Sequence, residues 1–479
     1  MQRALLVGMG LALVGGVITP VVSPIEVAPA SAATRAAMPF DFDGDGFSDM
    51  AIGIKGEDLR GKSNVGAVQV IYGSATGPTA HDQLWHQGRK GVKGALERGD
   101  NFGRRLTSGD FNGDGYADLA VGITGEDIGK ATNTGAVQVL YGSPAGLTAS
   151  GDQVWHQGSP GVPGTNEDND RFGEQLTTGD FDGDGYADLV IRVGYERVRG
   201  TRGRIVVLRG SSSGLTTSGV QSWNQKSAGL PGSMPAYSFF GYHVVAGDVT
   251  GDGRDDLLMT TSNDSHVYLL PGSAAGLTSR GSQHFEAATL LGSAETCGTF
   301  SFGEYGATLA DFNEDGRADL AGAGGCGVSP VLVLHGHPDG FHPRALPMTT
   351  QPGVDGIREL AHDNDYFGGP VAAAGDLTGD GHVDLMVGRD LIVGTGAGLG
   401  STVVRWPTAP DLALAGCHKW NVLPLSGGNH EWLICGAVEA VTVVRSNESG
   451  TQGELSVWSQ DSPGIKGTTE TGDSFGSFV

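Results

Sequence analysis

The chain has 479 residues, of which 38% are hydrophobic and 82 are glycine, and its formal net charge is −24. So strong a negative balance argues against a nucleic-acid partner, because phosphate backbones are held by basic surfaces. Glycine well above the ordinary level of about 7% argues against an ordinary α/β enzyme and for many short strands joined by tight turns.

Arg3 gives the N-terminus a short positive region, and Ala4 to Val22 form a mostly apolar stretch before the A-x-A site Ala30-Ser31-Ala32. This pattern reads as a signal peptide over residues 1–32, cleaved to leave a secreted, extracellular chain over residues 33–479. No later segment is long and apolar enough to span a bilayer. The four cysteines suit an oxidising compartment, and two bridges are expected, Cys297–Cys326 and Cys417–Cys435.

Six copies of one acidic loop, D-x-[DNT]-x-D-G-x-x-D, follow at intervals of 63 to 70 residues. The first holds Asp41, Asp43, Asp45, Phe47 and Asp49 at positions 1, 3, 5, 7 and 9. The second holds Asp110, Asn112, Asp114, Tyr116 and Asp118, and the third Asp180, Asp182, Asp184, Tyr186 and Asp188. The fourth holds Asp248, Thr250, Asp252, Arg254 and Asp256. Asp311, Asn313, Asp315, Arg317 and Asp319 make the fifth, and Asp376, Thr378, Asp380, His382 and Asp384 the sixth.

Each loop sits among fixed landmarks. A Phe-Gly pair precedes five of them, at Phe102-Gly103, Phe172-Gly173, Phe240-Gly241, Phe302-Gly303 and Phe367-Gly368. Two apolar strands and a G-S-x-x-G turn usually follow, and in several units a last strand carries Trp85, Trp155, Trp223 or Trp458, each with Gln two residues on. Four short strands per unit make one propeller blade. A shortened unit near residues 411–458, with expected strands at Leu412–Leu414, Trp432–Ile434 and Val441–Val444, has no acidic loop and makes a seventh blade. The first loop has no Phe-Gly strand before it, whereas the chain ends in Phe475-Gly476. The last strand is therefore expected to complete the first blade and close the ring, leaving no free edge.

These units resemble FG-GAP repeats, the blades of the integrin α-chain propeller, over essentially all of residues 38–479. The resemblance implies an all-β, seven-bladed propeller in one domain, with calcium held in loops on one face. An integrin leg, an inserted ligand-binding domain and a membrane anchor are not evident in the sequence, so a receptor function does not carry over.

The loop spacing itself points to calcium. A hard cation takes six to eight oxygens, and positions 1, 3, 5 and 9 offer side-chain oxygens while the position 7 carbonyl adds one. These positions account for twenty of the 54 acidic residues. About six structural Ca²⁺ ions are expected, with weaker binding where Thr250 and Thr378 replace a carboxylate or amide.

Other motifs read as scaffold. Gly210-Ser-Ser212-Ser-Gly214 has the form of a nucleophile elbow but falls on a turn repeated in other blades. Arg98-Gly99-Asp100 is an RGD tripeptide whose Asp100 aligns with Asp170, as expected for a fixed connector. His86 and His156 give way to Asn224 and Ser459 elsewhere. The blade-specific candidates for function are Glu57-Asp58, Glu126-Asp127 and the basic group Arg192, Arg197, Arg199, Arg202 and Arg204. The expected function is a monomeric adhesion or ligand-binding module for a glycan, cell-wall polymer or protein, and not an enzyme. The alternatives are a polysaccharide- or lipid-acting enzyme on a propeller scaffold, or a structural envelope protein.

Overall fold

The computed structural model describes residues 37–198, 200–232, 238–262, 266–290, 307–323, 329–344, 352, 355–360, 373–387, 390–405, 419–423, 431–436, 440–446, 452–467 and 474–478. The signal-peptide segment, Cys297, Cys326, Cys417, Phe302-Gly303, Phe367-Gly368 and Arg199 lie outside those residues. Neither expected disulfide therefore has both cysteines among them.

Seven four-stranded antiparallel sheets follow one another along the chain and form a seven-bladed β-propeller. Blade two shows the pattern, running from the inner strand Phe102–Gly109 through Asp118–Ile123 and Ala136–Tyr141 to the outer strand Thr148–Trp155. Blade one is made from both ends of the chain. Met50–Ile54, Ala67–Ile71 and Asp82–Trp85 come from the start, and Phe475–Phe478 supplies the inner strand. The closing contacts are Gly53 opposite Phe478 and Ile54 opposite Phe475, as the terminal Phe-Gly predicts.

Middle strands are buried on both faces, which explains why they read as unbroken apolar runs. In blade two, Leu119, Val121 and Ile123 pack toward blade one, while Ala120 between them packs toward blade three. Seven such apolar clusters are described, each joining two consecutive blades. The cluster joining blades seven and one sets Met50, Ile52 and Ile54 against Trp432, Ile434, Val443 and Phe475. Each fully buried side chain of this kind contributes about 1.5–3 kcal/mol, so closure is held by core packing as well as by the terminal strand.

The inner strand of blade seven is Lys419–Leu423, paired with Trp432–Gly436, and the expected Leu412–Leu414 lies outside the described residues. In blade four the Phe240-Gly241 pair stands just before the inner strand Val244–Gly247 and not within it.

Candidate metal centres

Five of the six acidic loops lie between the inner and second strands of their blades, and the first leads directly into the second strand of blade one. Position 2 anchors each one: Phe42, Phe111, Phe181, Val249, Phe312 and Leu377 are each 0–1% exposed and fill the seam toward the next blade. The turn then folds back on its first aspartate. Backbone N–H groups of Gly46, Gly115, Gly185, Gly253, Gly316 and Gly381 donate to Oδ2 of Asp41, Asp110, Asp180, Asp248, Asp311 and Asp376 at 2.8–3.0 Å. Position 6 must be glycine-like here, since φ lies between 82° and 92° in all six.

The ninth aspartate joins the loop to the body of the blade. Asp49 Oδ2 accepts from Phe42 N at 2.9 Å and its Oδ1 from Gly73 N at 2.9 Å. Asp118 does the same with Phe111 and Gly142, and Asp319 with Phe312 and Gly336. Asp256 and Asp384 differ only in taking the first bond from the threonine at position 3, Thr250 or Thr378. A carboxylate oxygen has two lone pairs, so these bonds leave coordination capacity. Burial pushes Asp49 and Asp118 up to about 8 and Asp188 to about 7; the backbone donors oppose this, and neighbouring loop aspartates add to it.

The residues fit a hard divalent cation. Carboxylate oxygens of Asp41, Asp43 and Asp45 lie within 4.8 Å of one another, and so do those of Asp180, Asp182 and Asp184. Among the described residues, Asp41 Oδ1 and Asp182 Oδ1 are buried without a hydrogen-bond partner, a costly state that a cation would relieve. Burial and the flanking carboxylates raise the pKa of Asp41 and Asp43. The loops are not equal. The Arg209 guanidinium reaches into loop three and pairs with Asp182 and, at 3.1 Å, with Asp188. Arg254 and Arg317 at position 7 pair with Asp252 and Asp315 at position 5, at 3.0 and 2.6 Å, while their backbone carbonyls remain the atoms a cation would use.

Successive loops are hydrogen-bonded in sequence around the ring. The Asp41 carbonyl accepts from Ala117 N, Asp110 from Ala187 N, Asp180 from Asp255 N and Asp248 from Ala318 N, at 2.7–3.0 Å. In blade seven, Glu431 takes this role: its N–H donates to the Asp376 carbonyl, and its Oε2 accepts from Asp376 N at 2.8 Å.

The other candidates fall mostly into the scaffold. Glu57 and Glu126 are each 7% exposed, and each accepts from the glutamine that follows a tryptophan on the preceding blade. Gln87 Nε2 reaches Glu126 Oε2 at 2.6 Å, Gln157 reaches Glu196 at 2.9 Å, and Gln460 reaches Glu57 at 2.8 Å across the closing seam. Asp58 and Asp127 cap their own loops by accepting from Asn64 N and Asn133 N. Of the basic group, Arg192 is buried near Glu174 and Arg204 pairs with Glu196 at 2.9 Å, so only Arg197 and Arg202 of the described members line an open cleft. In the RGD tripeptide, Asp100 is 1% exposed and accepts from Glu97 N. Ser212 sits on an exposed turn whose neighbour Ser211 bonds the Gly214 carbonyl, as Ser143 bonds Gly146. His156 Nδ1 accepts from Gly158 N, and burial lowers the pKa of both His86 and His156.

Seven blades, six of them with an aspartate turn leading into the second strand, define a β-propeller of FG-GAP repeats. The FG-GAP repeat matches residues 33–71, 102–140 and 172–208, and an FG-GAP-like repeat matches residues 248–322; the chain is an integrin-α-like FG-GAP propeller. It is 35% identical over 152 residues to phosphatidylinositol-glycan-specific phospholipase D of Rattus norvegicus, a match covering 32% of this chain and 17% of that protein. With integrin alpha-PS2 of Drosophila melanogaster it shares 33% identity over 162 residues, covering 32% of this chain and 10% of the integrin. The matches thus span less than a fifth of either relative. A solved structure of an Agrocybe aegerita lectin that recognises non-reducing terminal N-acetylglucosamine aligns with a TM-score of 0.51 at 15% identity, over 89% of this chain and 94% of the lectin. That likeness concerns the fold alone. Among the described residues, no helix is long and apolar enough to cross a membrane.

Proposed function

We propose that this chain is an extracellular, calcium-stabilised binding module that attaches to a glycan, cell-wall polymer or protein partner, and that it is not itself an enzyme. The observation that carries the reading is the repetition of the loops. Their aspartates are tied into turns and blade seams in the same way around the ring, which suits calcium used as a structural clamp and not as an open catalytic metal with a free coordination position. Recognition is then left to blade-specific residues at the other end of the inner strands. The extracellular location rests on the N-terminal leader pattern and agrees with the likeness to integrin α chains.

The test is binding of purified chain 33–479 to immobilised glycans, cell-wall polymers and matrix proteins, with calcium and with chelator. Selective binding that chelation abolishes supports the module. Absence of binding by folded protein, together with cleavage of one of the same polymers, would overturn it in favour of an enzyme.

A further inference from the structure

Blade three departs from the ring pattern at the end of its strands away from the acidic loop. Its second strand, Asp188–Val198, runs for 11 residues, whereas the second strands of the other blades run for 4 to 6. With Thr201–Arg209 it forms a long hairpin in which Val198 stands opposite Thr201. The surplus residues pass beside the connector that leads from blade two into blade three. That connector is pinned on both sides. Asn169 N and Arg171 N donate to the carbonyls of Thr132 and Asn133 in blade two, and Tyr195 N donates to the Asp170 carbonyl.

Between hairpin and connector lies a cleft of about 430 Å³, within the range of about 300–1,000 Å³ typical of small-ligand sites. Tyr195, Arg197 and Arg202 form the hairpin wall, and Glu167, Asp168, Asn169 and Asp170 form the connector wall. Glu196 is engaged elsewhere, with Gln157 and Arg204. The two walls carry opposite charge without closing on each other: among the described residues, Glu167, Asp168, Arg197 and Arg202 make no ion pair. The connector wall is held in place, since Asp168 Oδ1 accepts from Thr132 N at 2.8 Å, Asp170 Oδ2 from Glu167 N at 2.9 Å and Asn169 Oδ1 from Asn133 Nδ2 at 3.1 Å. On the hairpin wall Arg197 stands directly opposite Arg202, a placement that like charges disfavour and that carboxylates across the cleft offset.

This chemistry selects a neutral, hydroxyl-rich ligand. Arginines only donate and ionised carboxylates only accept, so a group between the walls must do both at several points, as a ring of hydroxyls does. An anion would meet three carboxylates. An ammonium group would compete at the Tyr195 ring with the Arg171 guanidinium, which already lies 4.8 Å from the ring centroid. Tyr195 is 38% exposed and is braced edge to face by Phe239 at 5.3 Å, which leaves apolar surface for the C–H side of a sugar.

We propose that this cleft binds a neutral saccharide unit beside Tyr195, its hydroxyls bridging Arg197 and Arg202 on one wall to Glu167 and Asp168 on the other. This names a ligand class for the binding module above and rests on that reading.

Calorimetry on chain 33–479 with calcium would compare neutral cellotetraose, chitotetraose, maltotetraose and mannotetraose with a hyaluronan tetrasaccharide and phosphocholine. At least one neutral tetrasaccharide should bind more tightly than either charged probe. Its affinity should hold between low salt and about 0.5 M sodium chloride, because no net charge is paired on binding. E167Q and R197Q alter exposed side chains and should each weaken binding about tenfold, the loss of one charge-assisted contact. D168N keeps an Oδ1 acceptor for Thr132 N and should weaken it similarly. Binding of no neutral probe, or tighter binding of phosphocholine or the hyaluronan tetrasaccharide, overturns the assignment. So does unchanged affinity in all three variants, shown to be folded by their melting temperatures. Binding in the polymer and protein array that survives the three substitutions overturns this site and leaves the module standing, whereas an array without any binding overturns both.

Discussion

Glu126 illustrates how a single side chain couples two blades to pH. Its carboxyl is 7% exposed and accepts the Gln87 amide from blade one. Burial pushes its pKa up to about 7; the Gln87 bond opposes this, and Asp100, Glu97 and Asp127 add to it. A raised carboxyl pKa in the folded state gives stability that is complete below the ordinary carboxylate value and is lost as pH rises through about 7. E126Q keeps an acceptor for Gln87 and discards the ionisation. It should be more stable than the parent at pH 8 by about 1–3 kcal/mol and should match it near pH 5. Melting curves of both proteins at pH 5, 6.5 and 8 decide this, and parallel pH profiles would refute the ionised-latch account. Sequence reasoning placed Glu57-Asp58 and Glu126-Asp127 among candidate ligand contacts, because recurrence in two loops does not reveal a partner on another blade. The W-x-Q motif was the available signal: a glutamine fixed beside a structural tryptophan needs a polar partner where the blades meet.

At the scale of elements, repeats were legible and pairings between repeats were less so. Six loops, a seventh blade and the closing Phe-Gly strand could be read because each has a local landmark with a mechanism: glycine at positive φ, an apolar anchor, or a Phe-Gly pair. Blade seven lacks the acidic loop, and its inner strand Lys419–Leu423, which pairs with Trp432–Gly436, was not among the expected strands. Closure makes its own prediction. The terminal strand contributes Phe475, 0% exposed, to the cluster holding Trp432, Ile434 and Val443. Deleting residues 474–479 removes that side chain and exposes the edge of Met50–Ile54. Stability should fall by at least 3–5 kcal/mol, the usual cost of losing one large core aromatic, and soluble aggregates should appear through the unpaired edge. An unchanged melting temperature and a monomeric elution profile would argue against closure as the element that holds the ring.

Across the whole molecule, calcium should act on the ring and not on isolated loops. The loops are linked by hydrogen bonds from one aspartate carbonyl to the next loop's N–H, and each loop's position 2 side chain fills the seam toward the following blade. A cation that fixes one loop therefore also fixes its neighbour. Six bound Ca²⁺ ions would halve the formal charge of −24 and relieve repulsion among carboxylates that lie close together in the folded chain. Each occupied site adds RT ln(1 + [L]/Kd), about 2.7 kcal/mol at a hundredfold excess over Kd. Chelation should accordingly lower the melting temperature by many degrees, and calcium titration should raise it in stages. Loop three should fill late despite its four carboxylates, because Arg209 already pairs with Asp182 and Asp188. The loops with Thr250 and Thr378 should also be weak, having a neutral hydroxyl at position 3. R209Q tests the ranking: removing the competing guanidinium should tighten the late calcium step while costing some stability in chelator. A melting temperature indifferent to both calcium and chelator would remove the clamp role altogether, whereas a late step untouched by R209Q would reassign it to the threonine-bearing loops.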